Sequence, residues 1–402
     1  MKSYNVDDKL KDRKMIVQAI IKTCKSKRKK NAGTNRKYKE AQYILQHVDE
    51  YTDRVLDLME SFEIKAAMEE QGIEVPSDIN KMAYSPRKCE SFEIKDGSSR
   101  KSRTITSVPL YPDQIIHQLI IAVAKPVMMK SMYEYSCGSM PGGGIHKGMR
   151  CIKKTIDRHS KNDKSEIKYV AKLDIKKCYP SISHESLKGQ LRKKFRGKLF
   201  LWLTDSVIDS YFDGDVNGIK HGLPIGYSTS QWFCNFHLTP LDHLIKEKLH
   251  IKHYVRYMDD MVFFGPNKKS LHKAVDSIGD YLKSMELKLK DNWQVFRFDY
   301  FDKNGNRRGR DIDFLGFRFF RDKIILRKRI ALTLKRQAAK IFKSKKLSVR
   351  MARSFISRAG WLRHSNSFNF YNKHIKDKIN FKKIKEVISN ESRKYSNANC
   401  AI

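Results

Sequence analysis

HYVRYMDDMVFFG, residues 253–265, decides the architecture. Two apolar, β-prone arms flank the adjacent carboxylates Asp259 and Asp260, so the stretch is predicted as two strands with its acids between them. In so apolar a setting uncompensated carboxylates repel one another and are costly to desolvate. A divalent cation removes both problems, and hard oxygen ligands suit Mg²⁺, which keeps waters and accepts substrate phosphate oxygens. On the dipeptide alone a plain hairpin turn accounts for the acids at least as well, because Asp is common in turns. A second acid shifts that balance. KYVAKLDIKKCYPSI (168–182) ends an apolar strand on Asp174, with Cys178 and Tyr179 just beyond. Two strands of one sheet would bring Asp174 beside Asp259, forming a cage for metal ions about 3.5–4 Å apart, the spacing that serves in-line phosphoryl displacement. One ion would activate a primer 3′-hydroxyl and the other steady the leaving pyrophosphate. Such clamping is the main catalytic contribution available, and no nucleophilic Ser, Cys or Lys is required.

The composition around these acids favours the same chemistry. The chain has 402 residues, with 82 Lys plus Arg against 44 Asp plus Glu and a formal charge of +38. Its 40% apolar and 11% aromatic content is enough for buried cores, which excludes a disordered basic tail. A folded protein this basic repels itself unless a polyanion neutralises it, so nucleic acid is the leading partner. An acidic membrane surface ranks second. No stretch reaches the roughly 18 apolar residues needed to span a bilayer, and MKSYNVDDKLKDRK lacks the apolar core of a secretory signal. The seven cysteines (24, 89, 137, 151, 178, 234 and 400) are scattered, with no CxxC pair. That usage points to a reducing cytoplasm and no zinc module.

The chain divides into three parts. Residues 1–83 are expected to form a basic helical extension, with 14 basic and 4 acidic side chains in the first 40 and apolar positions from Ile44 to Met59 recurring at helical spacing. Residues 84–320 alternate helical and β-rich stretches, which argues for an α+β domain. Within it SFEIK (91–95) and SRTITSVPL (102–110) flank a Gly/Ser-rich basic tip, a hairpin that would clamp phosphates. Residues 321–402 carry 23 basic against 4 acidic side chains, with helical periodicity and interleaved aromatics including Trp361 and Phe368. These rings suit stacking on a duplex or a core of the domain's own.

Six blocks, in order, carry a family resemblance. LDIKKCYPSI (173–182), GLPIGYSTSQ (222–231), RYMDD (256–260) and DFLGF (313–317) resemble successive palm motifs of reverse transcriptases. SRTITSVPLYPDQIIHQ (102–118) and YSCGSMPGGGIHKG (135–148) resemble fingers motifs of the prokaryotic branch, which includes group II intron-like, diversity-generating and defence-associated enzymes. The resemblance covers roughly 84–320, and the basic tail lies where the family has its thumb. It implies a right-hand polymerase fold with fingers, a palm of antiparallel sheet and helices, and a helical thumb.

Carried over residue by residue, the resemblance makes Asp174, Asp259 and Asp260 the catalytic metal-binding acids, with Ile175 lending its backbone carbonyl. The implied cofactor is a pair of Mg²⁺ ions, with Mn²⁺ as a substitute. Tyr179 falls at the aromatic steric gate that selects deoxynucleotides, which disfavours RNA synthesis. Arg103 matches the fingers residue that grips the incoming triphosphate, with Lys95, Arg100 and Lys101 weaker candidates on the same hairpin. Pro224, Ile225, Gly226 and Gln231 would border the incoming dNTP. Many relatives have Gln at the position of Ile225, and the departure resembles error-prone enzymes of diversity-generating retroelements. Lys288 and Lys290 are pyrophosphate-side candidates, although solvated surface charge accounts for either. Phe314, Leu315 and Gly316 correspond to the primer grip, with a tight core turn as the alternative.

The activity so implied is RNA-directed DNA polymerisation on an RNA template, with a DNA product or primer. A dedicated non-coding RNA and anti-phage defence in a prokaryotic cytoplasm are the favoured setting, with diversification second. Accessory proteins or a homo-oligomer are compatible with it, and no membrane is involved. A non-catalytic RNA-binding scaffold is the reading of another class, and the intact acids argue against it.

Overall fold

A computed structural model describes residues 4–30, 36–95, 102–161 and 166–400. Its centre is a four-stranded antiparallel sheet in the spatial order Tyr254–Tyr257, Asp260–Gly265, Tyr169–Asp174 and Gln294–Arg297. The period-2 pattern of the central strands explains why the sheet is covered on both faces. Ala171, Leu173, Met261 and Phe263 enter one core, while Val170, Val262 and Phe264 enter another on the opposite face. A one-residue slip would exchange the two sets, so both cores pin the register. That register pairs Asp174 with Asp260. The predicted stretch 253–265 is two strands separated by Met258 and Asp259, with Met258 at φ +56°.

The first core also takes in the N-terminal helices. The predicted helical stretch after Glu40 breaks at His47 into Arg36–Gln46 and Val48–Glu70. Helix Arg13–Lys30 packs against both and against the apolar helix Ile115–Met129. Its buried Ile16, Ile20 and Cys24 are continuous with central-sheet residues such as Leu173 and Phe263, so this segment packs into the same core as the sheet. The predicted hairpin pairs Glu90–Lys95 with Ser102–Ser107. Its tip, including Arg100 and Lys101, lies outside the described residues.

The second core joins helix Ile145–Lys161 to a three-stranded sheet of Ile312–Phe314, Phe317–Phe319 and Ile324–Leu326. The predicted strand over 312–320 therefore turns back on itself at Leu315 and Gly316, both at positive φ. A third core lies among the C-terminal helices Lys328–Lys343, Val349–Ala359 and Phe381–Cys400, built on Leu334, Ala352 and Phe355. Trp361 instead stacks on Phe317 at 5.2 Å, and Phe368 is 74% exposed. Among the described residues, no helix is long and apolar enough to cross a membrane.

Candidate active site

Three acids meet where the central strand ends. Asp174 is the last residue of its strand and faces Asp260 across the ladder, and the Ile175 amide donates to the Asp259 carbonyl at 3.3 Å. Local sequence sets this up: the apolar arms bury, and the polar residues fall at the open end of the sheet. Burial pushes the Asp260 carboxyl up to about 6, with Asp174 and then Asp259 adding repulsion. Burial, and then Asp174, also raises Asp259, while Lys290 and Arg103 pull it back. One Asp174 oxygen, Oδ1, is buried with no hydrogen-bond partner. The other pairs with the Lys290 ammonium, whose backbone amide donates to the Asp174 carbonyl at 2.8 Å. A buried oxygen without a donor, beside two acids that resist ionisation, is a site short of positive charge. All-oxygen donors fit hard divalent cations.

The remaining sequence candidates separate. Lys290 stands at the acids, whereas Lys288 is exposed and engages through its carbonyl, which accepts from the Lys176 amide at 2.7 Å. Arg103 projects from the fingers hairpin close enough to stabilise ionised Asp259. Lys95 ends the other hairpin strand, and Lys101 is outside the described residues. Tyr179 is half-buried at the start of a short helix above Cys178, whose thiol lies 3.7 Å from that of Cys234. Burial, helped by the neighbouring thiols and Asp259, pushes its hydroxyl above the ordinary tyrosine range, so the ring stays a neutral phenol.

The 222–227 loop bridges the short helix after the central strand and the Glu90–Ser107 hairpin. The Leu223 amide donates to the Tyr179 carbonyl at 2.9 Å, and the Thr106 amide donates to the Ile225 carbonyl at 2.8 Å. Gly226 is required there on two counts: φ is +133°, and a Cβ would meet the Thr106 carbonyl oxygen at 2.1 Å. Pro224 is buried, Ile225 is 37% exposed, and Gln231 is exposed on the following helix Ser228–His237. Gly226 and Gln231 line a cleft of about 470 Å³ with Lys22, Lys125, Ser139 and Pro141, so the N-terminal helix supplies charge to it.

At the DFLGF turn Phe314 is buried and Leu315 half-buried. The residue that excludes a side chain at Gly316 is Trp361, 2.5 Å from where a Cβ would stand. This packing gives the glycine a steric reason within the fold, as the tight-turn alternative expects, and leaves open the contact with a primer.

Sequence reasoning missed the support beneath the turn. Arg256 is fully buried and bidentate on Asp242 (2.8 and 2.5 Å), and it donates onward to the Asn235 side-chain oxygen and the Met258 carbonyl, each at 3.0 Å. Asn235 in turn donates to the Gly138 carbonyl at 2.9 Å, and Tyr254 donates its hydroxyl to Asp242 at 2.7 Å. A cation inside an apolar strand was the available signal, because it demands a buried partner.

The family profile described as reverse transcriptase (RNA-dependent DNA polymerase) matches residues 94–319. No curated protein matches the chain. Among solved structures, apo telomerase from Candida tropicalis truncated from its C-terminal domain is 15% identical, with a TM-score of 0.42 over 60% of this chain and 55% of that one. Telomerase from Candida albicans in complex with a TWJ fragment of telomeric RNA is 15% identical, with a TM-score of 0.41 over 82% and 65%. Apo telomerase from Candida tropicalis is 13% identical, with a TM-score of 0.45 over 93% and 78%. The chain thus spans less than two thirds of the length of the first two.

Proposed function

The chain belongs to the reverse transcriptase family, and we propose that it is an RNA-directed DNA polymerase that adds deoxynucleotides to a primer 3′-hydroxyl by two-metal catalysis. The observation that carries this reading is the partnerless Asp174 oxygen among acids pushed towards protonation. Asp174, Asp259 and Asp260, with the Ile175 carbonyl, would hold the divalent ions, Mg²⁺ or Mn²⁺ in its place. When bound, such ions activate the attacking hydroxyl and neutralise charge on the departing pyrophosphate.

The chain's own side chains do the rest. Arg103 offers a planar guanidinium fork to the triphosphate from the side facing Asp259. Lys290 compensates Asp174 and would bring an ammonium to the pyrophosphate side. Gly226 lets the loop bearing Pro224 and Ile225 lie flat on the fingers, and Gln231 borders the cleft that Lys22 and Lys125 make basic. Leu315 and Gly316 form the turn that would steady the primer.

Primer extension with separate dNTP and rNTP sets is the direct test, and the Tyr179 ring is the discriminating element. In Tyr179→Ala, use of rNTPs relative to dNTPs rises on the order of 10- to 100-fold, the scale at which pocket shape discriminates small groups. An unchanged ratio removes Tyr179 from sugar selection. Template binding is expected to be strongly electrostatic, given the charge of +38. Affinity for RNA falls about 10³-fold or more between roughly 50 and 200 mM salt, measured by filter binding, if about eight or more phosphates are neutralised.

For biological role we favour defence against phage in a prokaryotic cytoplasm, with a dedicated non-coding RNA as template. The exposed Ile225 at the loop favours, as a second reading, an error-prone enzyme of a diversity-generating retroelement. Sequencing nucleic acid that co-purifies with the protein separates them, because one fixed RNA supports the first and a mutated variable repeat the second.

A further inference from the structure

At the opposite end of the palm sheet, three side chains from separate parts of the chain converge. His159 lies in the last turn of helix Ile145–Lys161, Glu166 precedes the central strand, and His253 precedes the Tyr254–Tyr257 strand. The His253 Nε2 is 2.9 Å from Glu166 Oε2, and the His159 Nε2 is 4.0 Å from the same oxygen. One ligand atom from each residue lies within 4.8 Å of the other two. Tetrahedral zinc with bonds of about 2.0–2.1 Å sets its ligands roughly 3.3 Å apart, a value these distances bracket.

The His159 Nε2 is buried and has no hydrogen-bond partner. Such a nitrogen beside a carboxylate needs either a proton to share or a metal to bind. We propose that His159, Glu166 and His253 form a second metal site, specific for a zinc-class transition ion and separate from the catalytic acids. Two imidazoles and a carboxylate suit Zn²⁺ and disfavour Mg²⁺, which takes oxygen ligands. Lys252 engages the other carboxylate oxygen, which leaves Oε2 for the ion. On binding, the proton on His253 Nε2 moves to Nδ1, so the imidazole stays neutral and only its tautomer changes.

The position separates this site from the polymerase chemistry. Tyr169 pairs with Gly265 at this end of the ladder and Asp174 with Asp260 at the other, five residues or about 17 Å away. The ion would clip helix, central strand and turn hairpin together at the end where no catalytic acid stands. A cleft of about 390 Å³, lined by Glu166, His250, Lys252, His253, Ser270 and Lys273, adjoins it and leaves room for a water or anion as fourth ligand.

The test uses the full chain without an affinity tag, stripped by chelator and kept in excess Mg²⁺ to occupy the aspartates. Zn²⁺ titration is expected to give one tight site per chain. His159→Gln and Glu166→Gln each weaken it about 100-fold or more, exceeding the roughly 10–100-fold cost of losing an outer-shell partner. Both variants keep Mg²⁺-dependent primer extension, which verifies their folding. Co²⁺ in the wild-type chain gives visible bands of a tetrahedral nitrogen and oxygen site that His253→Gln abolishes. Thiolate charge-transfer bands in the Co²⁺ spectrum, or wild-type zinc binding no tighter than that of the His159→Gln/His253→Gln chain, overturn the proposal.

Discussion

Asparagine in place of Asp259 lowers primer extension about 10³-fold or more, while RNA affinity stays within about twofold. The size follows from the job assigned to the carboxylate: losing about 4 kcal/mol of charge stabilisation at the reacting phosphate corresponds to three decades in rate. Single-turnover extension at saturating template and dNTP measures the chemical step, and filter binding reports the RNA. Activity within tenfold of wild type would remove Asp259 from the chemistry. The same cluster has a signature in stability without metal. Asp260 is pushed from 3.8 to about 6 in the fold, so between those values the folded chain binds more protons than the unfolded one. Stability then falls as pH rises through that window, and the deficit persists above it. Asp260→Asn removes the deficit, raising the metal-free Tm at pH 7.5 by on the order of a few degrees and leaving it unchanged near pH 3.5. Thermal melts in chelator across that range check the sign, and Mg²⁺ should narrow the gap by compensating the wild-type acids.

These acids were legible in the sequence because two opposing rules apply to the same residues. Strand patterning placed Asp174 and Asp259 at the ends of apolar runs, and burial physics demanded a reason for them to be there. The register that pairs Asp174 with Asp260 follows from the alternation of Leu173 and Met261 with Lys172 and Val262. Other features could not be read along the chain. The break at His47 and the reversal at Leu315 depend on what the neighbouring segments pack against, and helical or strand periodicity runs through both. Gly316 shows how a glycine's reason can be tertiary, since Trp361 comes from 45 positions away. The His159, Glu166 and His253 cluster escaped for the same reason: its members are separated by 7 and 87 residues, with no local ligand spacing. The expectation of no zinc module rested on the cysteines alone, and a cysteine count says nothing of histidine and carboxylate ligands brought together by the fold.

Arg256→Met destabilises the protein by about 3–5 kcal/mol, because Asp242 is left as a buried, unpaired carboxylate. Loss of activity in that variant alone would say little, since misfolding explains it. The informative chain is Arg256→Met/Asp242→Asn, in which both charges are gone and the amide oxygen still accepts from the Tyr254 hydroxyl. Replacing both members of a buried ion pair is often near neutral, so urea unfolding should show most of the lost stability restored. Polymerisation should not return with it. The guanidinium also donates to the Met258 carbonyl and the Asn235 oxygen, and methionine offers neither bond. Met258 stands at φ +56°, a conformation that needs its surroundings to hold it, and Asp259 is the next residue. A turn released by even about 1 Å can cost on the order of 100-fold in rate. Arg256 therefore acts as a positioning residue, and its mark is a fall in kcat with little change in RNA affinity. A double variant that regains both stability and extension would mean that the neighbouring strands alone hold the turn, and the positioning role would be withdrawn.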